Sequence, residues 1–354
     1  MLALAGLPLN VRSLILEPAA EPCAGHVSPV ISGEFEDYQA LYKLACESEI
    51  ITYEFENVPV TSARWLAERK PVFPPPEALA VAQDRLSEKQ FFAQLGIAVA
   101  PFVAVNCRED YEAGIKKIGL PAVLKTTRFG YDGKGQAVVR NAEQVESAWN
   151  RLQGRPLILE GFIPFIRELS ILSVRSRSGE MAFYPLVENV HREGILRQST
   201  PLDNVSPSLQ SQAEEIARKA LNQLNYVGVL AIEMFQTGTE ATSSLVVNEM
   251  APRVHNSGHW TIEGAQTSQF ENHLRAILGL PLGSCELRGY CQMFNLIGDI
   301  PPLEKILGIS GVHVHHYGKG PRAGRKVGHI TVCGNTQKER NDRSGHLLSV
   351  LDLL

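Results

Sequence analysis

No CxxC pair occurs anywhere in the sequence, and its six cysteines (Cys23, Cys46, Cys107, Cys285, Cys291 and Cys333) are scattered. That pattern offers neither a zinc site nor a disulfide frame, and it suits buried thiols in a reducing compartment. Basic charge is not in excess. The formal net charge is -4, so a nucleic-acid scaffold, which needs a basic face to displace counterions, is not expected. A small phosphorylated substrate is still within reach, because a few placed Arg and Lys can hold one. No apolar run approaches the ~20 residues that span a bilayer. The apolar start, Met1 to Leu9, lacks a basic flank and a cleavage-like site. No membrane span and no signal peptide are expected, and the cytoplasm is the default location. The Walker A pattern GxxxxGK(S/T) is absent, which disfavours a P-loop NTPase. Internal repeats and low-complexity tracts are absent too.

What is present is the balance of an ordinary globular protein, 44% hydrophobic and 20% charged over 354 residues, enough for two or three domains. Strand and helix signals alternate at the start: a strand over residues 11–17, a helix over 34–48, and a strand over 50–56. Alternation of this kind favours a parallel α/β sheet. The prolines Pro74, Pro75 and Pro76 break the pattern and place a first boundary, giving an N-terminal α/β domain over residues 1–76. A second region, residues 77–285, contains a small lobe over about residues 100–165 and then mostly strand, with a helix over 210–224. Strand signals from Cys291 onward predict a small closing unit over residues 286–354.

Four segments carry chemistry. The first is GYDGKGQ, residues 130–136, just after a strand ending in Lys125. Its glycines let backbone N–H groups approach an anion, and Lys125 and Lys134 add positive charge around phosphate oxygens. Taken alone, such a loop is also a common hairpin tip. The second is Glu233 with Glu249, each inside an otherwise apolar strand, where a buried charge is costly unless paired or bound to a cation. A short connection makes the two strands a hairpin, and with Asn248 they form a hard-oxygen site suited to Mg²⁺ shared with nucleotide phosphates. The bland alternative is a pair of glutamates bridged to nearby arginines. The third is the run from Ala251 to Trp260, where Arg253, His255, Asn256 and His259 crowd a segment too irregular for core packing. Near the end, Arg322, Arg325 and Lys326 put three cations on a glycine-bearing turn, suited to a substrate phosphate or to simple solvation.

In order, Lys125, GYDGKGQ, Glu160 to Ile163, Glu168, Glu233, NEMAPRVHNSGHW and GRKVGH closely resemble the ATP-grasp 5-(carboxyamino)imidazole ribonucleotide synthases of purine biosynthesis. The last two motifs are the most specific, and the resemblance runs from about residue 1 to residue 333. It implies an N-terminal parallel α/β domain, a two-lobed ATP-grasp region and a small C-terminal β-rich domain. The implied reaction joins ATP, bicarbonate and 5-aminoimidazole ribonucleotide through carboxyphosphate, with Mg²⁺ or Mn²⁺ as the metal and a homodimer as the assembly. By matching positions, Arg85, Lys125, Gly130, Tyr131, Asp132, Gly133, Lys134, Gly135, Gln136, Glu168, His191, Asn248 and Glu249 would contact the nucleotide. Glu160, Gly161, Phe162 and Ile163 would form the adenine hinge. Glu233 and Glu249 would carry the metal. Tyr131, Asp132, Arg253, His255 and Lys326 would serve the bicarbonate and imidazole side, with Arg325, Lys326, Asn256 and Ser257 toward the ribonucleotide phosphate.

The resemblance departs at the start. Family members open with a strand and a GGGQLGRM-type turn, whereas Met1 to Gly6 matches the helix after that turn. A first strand and its phosphate-binding loop are therefore expected to be missing, with poor activity or lower stability as the consequence. Rival readings are a formate-dependent glycinamide ribonucleotide transformylase-like or biotin-carboxylase-like ligase, or a nucleotide-binding protein without turnover. Only the substrate-side motifs separate the ligases.

Overall fold

The computed structural model describes residues 1–128, 130, 135–239 and 243–351. Its first unit pairs strands β1 (Ile15–Glu17) and β2 (Val30–Ser32) in parallel. Helix Tyr38–Glu47 packs on both, and Asp37 starts it by accepting from the Gln39 and Ala40 amides, two of the donors a helix N-terminus leaves open. Its inward residues Ala40, Leu41, Leu44 and Ala45 share a core with Ile31, Ile51 and Leu79.

The strand expected over residues 50–56 is not formed, and Ile51 alone bridges, to Val72. Ile51 donates to Pro71 O and accepts from Phe73 N, but the next donor would be Pro75, which has no N–H. Thr52, Glu54 and Glu56 instead meet His273, the Leu2 amide and Arg253.

The small lobe is an antiparallel sheet of β3 (Phe102–Val105), β4 (Ala122–Thr126), β5 (Gln136–Val139) and β6 (Leu157–Gly161), in the order β3-β6-β4-β5. Helices Arg108–Ile118 and Glu143–Leu152 back it, with Tyr111 and Trp149 stacked at 5.5 Å between their ring centres.

A large antiparallel sheet carries the rest. Its strands are β7 (Arg167–Arg175), β8 (Met181–Phe183), β9 (Val187–Arg192), β10 (Ile195–Pro201), β11 (Gly228–Thr237), β12 (Ser244–Ala251), β13 (Tyr290–Ile297), β14 (Val312–His316) and β15 (Lys326–Gly334). They run in the order β12-β11-β7-β9-β10-β13-β15-β14, with β8 beside β7. Helix Pro207–Gln223 covers one face and Gln269–Leu278 the other. β7, covered on both sides, therefore reads as a nearly unbroken buried run, whereas β11 is buried throughout its first half and alternates from Glu233 onward. The C-terminal strands extend this same sheet, since β13 pairs with β10 at Phe294–Gln198 and Met293–Ser199. That continuity carries Lys326, the first residue of β15, to the edge of the central cleft. Among the described residues, no helix is long and apolar enough to cross a membrane.

The thiol expectation is corrected in part. All six cysteines are free, and Cys285 and Cys291 are buried, but Cys23, Cys46 and Cys107 are exposed. Cys46 lies on the outward side of helix Tyr38–Glu47, and Cys107 precedes the first turn of Arg108–Ile118.

One buried histidine ties the first unit to the large sheet. His273 Nδ1 accepts from the Val229 amide at 3.1 Å, so Nε2 carries the proton that Thr52 Oγ1 accepts at 2.8 Å. Burial pushes its pKa down to about 4. Between that value and the ordinary ~6.5 the unfolded chain binds more protons, so stability is complete above pH 6.5 and falls as pH drops toward 4. In urea unfolding, the loss of stability between pH 7.5 and 5 is expected to be about 2 kcal/mol smaller in His273→Gln than in the parent. An identical pH dependence in the two proteins would contradict this.

Candidate functional site

β11 and β12 pair so that Glu233 stands opposite Glu249. The register then slips: Met234 faces Val247, and Asn248 is the extra residue of a bulge. A bulge bends its strand and re-aims side chains, and bulges concentrate beside active sites. Arg85 Nη1 donates to Glu249 Oε2 at 2.8 Å and Arg85 Nη2 donates to Gly130 O at 3.0 Å. Arg85 is held by helix Arg85–Gln94, which Asp84 caps through the Ser87 amide at 3.0 Å. His255 Nε2 lies 3.3 Å from Glu233 Oε1. Burial, and then Glu249, push the Glu233 carboxyl up to about 7. Burial also opposes the Glu249 charge, but Arg85 outweighs it and holds Glu249 below its usual range. The carboxylate pair is thus split into one ionised member and one that titrates near neutrality.

These groups open on a cavity of about 170 Å³ walled by all three parts of the chain. Glu56 and Asn57 come from the first unit, Lys326 from β15, and Arg85, Gly130, His191, Arg253, His255 and Asn256 from between. Arg253 crosses to the first unit, its Nη2 2.6 Å from Glu56 Oε2. Burial, then Arg253, push His255 well below the ordinary histidine value, so its ring is neutral at pH 7.

The support beneath His255 is a buried hydrogen-bond chain. Ser199 Oγ donates to Asn189 Oδ1 at 2.7 Å, Asn189 Nδ2 to Ser170 Oγ at 2.9 Å, and Ser170 Oγ to Ser257 Oγ at 2.9 Å. Ser257 Oγ meets His255 Nδ1 at 2.8 Å. Ser257 is fully buried, so the expectation that it contacts a substrate phosphate is corrected: it orients His255 instead. Asn256 does line the cavity, exchanging two hydrogen bonds with Asn295. A Cβ on Gly258 would stand 2.2 Å from Leu172 Cδ2 and 2.8 Å from Gln269 Oε1, the oxygen that accepts from the His255 amide. Gly258→Ala should therefore destabilise the chain by about 3 kcal/mol, by forcing backbone and side chains apart. A melting temperature equal to the parent's would refute this.

Arg325 immediately precedes β15, whose first residue is Lys326. Lys326 lines the cavity, whereas the Arg325 side chain donates to Gly320 O at 3.3 Å and is not part of the cavity wall.

On the nucleotide side, Lys125 Nζ lies 2.9 Å from Glu160 Oε2, and Lys89 Nζ lies 3.7 Å from the same oxygen. Burial opposes the Glu160 charge, but Lys125 and then Lys89 hold the carboxyl at about 2. One carboxylate oxygen of Glu160 is therefore held by two lysines, while Oε1 is buried without a hydrogen-bond partner. The amides of Gly161 and Phe162 are also taken, by Pro101 O at 2.8 Å and Pro121 O at 3.1 Å. That leaves the exposed Phe162 ring and Ile163 as the open part of the expected hinge. Glu168 Oε2 lies 2.8 Å from His191 Nδ1, and Phe165 stacks on Phe235 at 4.8 Å nearby. Burial opposes charge on His191, but Glu168 prevails and raises its pKa. Gly135 has φ +71°, and a Cβ there would stand 2.7 Å from Thr126 Oγ1, so the turn into β5 and Gln136 needs glycine. Tyr131, Asp132, Gly133 and Lys134 lie outside the described residues.

Sequence reasoning passed over Glu56, Glu88 and Lys89. The last two follow Arg85 by three and four positions, on the same helix face, and that spacing could have found them.

Comparison with known proteins accords with this geometry. The ribonucleotide synthetase preATP-grasp domain matches residues 1–83, the ATP-grasp domain residues 90–270, and the phosphoribosylaminoimidazole carboxylase C-terminal domain residues 291–343. The N5-carboxyaminoimidazole ribonucleotide synthase of Pseudomonas aeruginosa is 48% identical over 332 residues, 94% of this chain and 91% of that protein. The Thermus thermophilus N5-carboxyaminoimidazole ribonucleotide synthetase structure superposes with a TM-score of 0.94 at 55% identity, covering 99% of this chain and 95% of that one. An Aspergillus clavatus synthase structure in complex with ADP and 5-aminoimidazole ribonucleotide matches at a TM-score of 0.91 and 32% identity, over 100% of this chain and 96% of that one. With the facing glutamates, the cleft walled by three units and these likenesses in agreement, the chain belongs to the N5-carboxyaminoimidazole ribonucleotide synthase family of ATP-grasp ligases.

Proposed function

We propose that this chain uses ATP to carboxylate 5-aminoimidazole ribonucleotide with bicarbonate, giving the N5-carboxylated ribonucleotide, ADP and phosphate. The observation that carries the reading is the single cavity where the Glu233–Glu249 pair meets Arg85, Arg253 and Lys326. An acidic pair ringed by cations suits a phosphate chain, a divalent metal and a second small anion together.

The residues fit magnesium shared with phosphates. Glu233 and Glu249 offer hard oxygens at facing positions, with Asn248 on the bulge between them. Among the described residues, no three His, Cys, Asp or Glu are arranged to hold a metal by themselves. The remaining oxygens of an octahedral shell would come from nucleotide and water. When bound, the metal would offset charge on the transferring phosphoryl group.

Arg85 and Lys125 stand where they can orient the phosphates, since positioning and electrostatics carry most of phosphoryl transfer. A bicarbonate oxygen attacks the γ-phosphorus and the bond to ADP breaks, giving carboxyphosphate. Arg253 holds the anion against Glu56's opposing charge. The exocyclic amine of the ribonucleotide then bonds to the carboxyl carbon as phosphate departs, directly or after release of CO₂. The proton the amine loses in that step goes to the departing phosphate, because His255 Nδ1 accepts from the Ser257 amide and the proton on its Nε2 faces Glu233. Lys326 and Asn256 face the ribonucleotide from the far wall. The assembly we propose is a homodimer, which light scattering on the purified chain reads directly.

ADP release from Mg²⁺-ATP and bicarbonate, with and without 5-aminoimidazole ribonucleotide, tests the reading. Strong stimulation by the ribonucleotide is expected. Equal rates with ATP still bound would overturn the substrate assignment and leave the fold intact.

A further inference from the structure

Helix Arg85–Gln94 does more than deliver Arg85. Three of its residues, at positions i, i+3 and i+4, grip the four consecutive residues around the β12 bulge. Arg85 takes the Glu249 carboxylate at 2.8 Å, and Glu88 Oε1 accepts from the Met250 amide at 2.7 Å. Lys89 Nζ donates to Asn248 O at 2.7 Å and to Val247 O at 3.3 Å. A bulge leaves backbone groups without ladder partners, and buried groups of that kind must be paired elsewhere. Glu88 and Lys89 supply the pairing here. Both are nearly sealed from solvent, at 2% and 1% exposure.

Burying a lysine and a glutamic acid, whose carboxyl burial pushes up to about 8, adds little to stability alone, because well-packed apolar residues of similar volume commonly do as well or better. What these polar groups add is a fixed backbone geometry at Asn248 and Glu249. Lys89 also lies 3.7 Å from Glu160 Oε2, on the strand that joins the small lobe to the hinge. One buried cation therefore touches the bulge of the large sheet and the ion pair of the small lobe.

We infer that Lys89 and Glu88 are positioning residues, which fix the β12 bulge so that Asn248 and Glu249 present their side chains to nucleotide and metal. The inference rests on the reading of Glu249 as a metal carboxylate. Partners that orient metal ligands without touching the metal commonly govern affinity as strongly as the ligands themselves.

The test is a Mg²⁺ titration of ADP binding, followed by tryptophan fluorescence, with melting temperature recorded alongside. Lys89→Met, which keeps the apolar stem and removes the ammonium, is expected to weaken Mg²⁺ by about 10- to 100-fold while metal-free ADP binding changes less than about threefold. Glu88→Met should weaken it likewise, and Glu88→Gln, which retains an acceptor oxygen opposite the Met250 amide, should restore most of the loss. A lower melting temperature with an unchanged Mg²⁺ requirement in Lys89→Met would overturn the inference. Should Lys89→Met not fold, the Glu88 pair decides, and equal Mg²⁺ affinities in its two variants overturn it. Glu249→Gln run in parallel separates the two readings. A Mg²⁺ requirement that survives in Glu249→Gln removes the metal assignment and the inference with it, whereas one lost there but kept in Lys89→Met defeats the inference alone.

Discussion

Replacing Glu249 by glutamine should lower ribonucleotide-dependent ADP release by about 10³-fold and leave the fold standing. The side chain is half-exposed at 40%, so the substitution neither opens a cavity nor buries a new polar group. Arg85, 2.8 Å away, can still donate to the amide oxygen that replaces Oε2. What disappears is one of two facing carboxylate charges. Burial and Glu249 together raise Glu233 to about 7, so Glu249 is the member that carries the pair's permanent negative charge. On the reading of Glu249 as a metal carboxylate, its loss would remove an anionic ligand from the metal and leave Arg85 without its carboxylate partner. Nucleotide should then bind without magnesium at least as well as before, while transfer of the phosphoryl group slows. A factor of 10³ corresponds to about 4 kcal/mol of transition-state stabilisation. Steady-state kinetics at several Mg²⁺ concentrations check this, and a turnover within tenfold of the parent would remove Glu249 from the metal site.

How much of this was legible in the sequence depended on whether the signal was local. Glu233 and Glu249 stood out because a carboxylate inside an apolar strand demands a partner, and the structure pairs their positions directly across β11 and β12. The bulge that re-aims Asn248 was not legible, since a one-residue slip leaves no mark in an apolar run such as residues 245–247. The strand predicted over residues 50–56 failed for a non-local reason: its intended neighbour is the proline run, which cannot donate. Glu56 was passed over for a similar cause, because its partner Arg253 lies far along the chain. Ser257 was drawn in by adjacency to Asn256, although it is fully buried. The committed carboxylate of Glu160 also needed the fold, which brings Lys89 and Lys125 to one oxygen from separate elements.

Arg253→Met should reduce kcat/KM for bicarbonate by about 10³-fold and leave ADP affinity within about twofold. The argument is one of charge. Among the described residues that wall the cavity, Glu56 and Glu249 oppose the cations Arg85, Arg253 and Lys326, because burial pushes Glu88 up to about 8 and Glu233 to about 7. Arg85 is drawn toward Glu249, which leaves the wall near Glu56 dependent on Arg253. Its Nη2 sits 2.6 Å from Glu56, and its Nη1 donates to Val254 O at 2.9 Å. Methionine keeps the apolar stem and strips the charge, so Glu56 faces the incoming anion without compensation. In a partly buried cleft that repulsion is strong, because the local dielectric is low and salt screens little. In the proposed mode bicarbonate, small and singly charged, would have few other contacts to offset it, whereas ADP would gain most of its hold from Lys125 and the small lobe. Glu56→Gln in the Arg253→Met background removes the uncompensated charge and should recover part of the bicarbonate affinity without restoring full turnover. Saturation curves for bicarbonate at fixed ATP would show both effects, and a bicarbonate KM unmoved in Arg253→Met would place the anion elsewhere in the cleft.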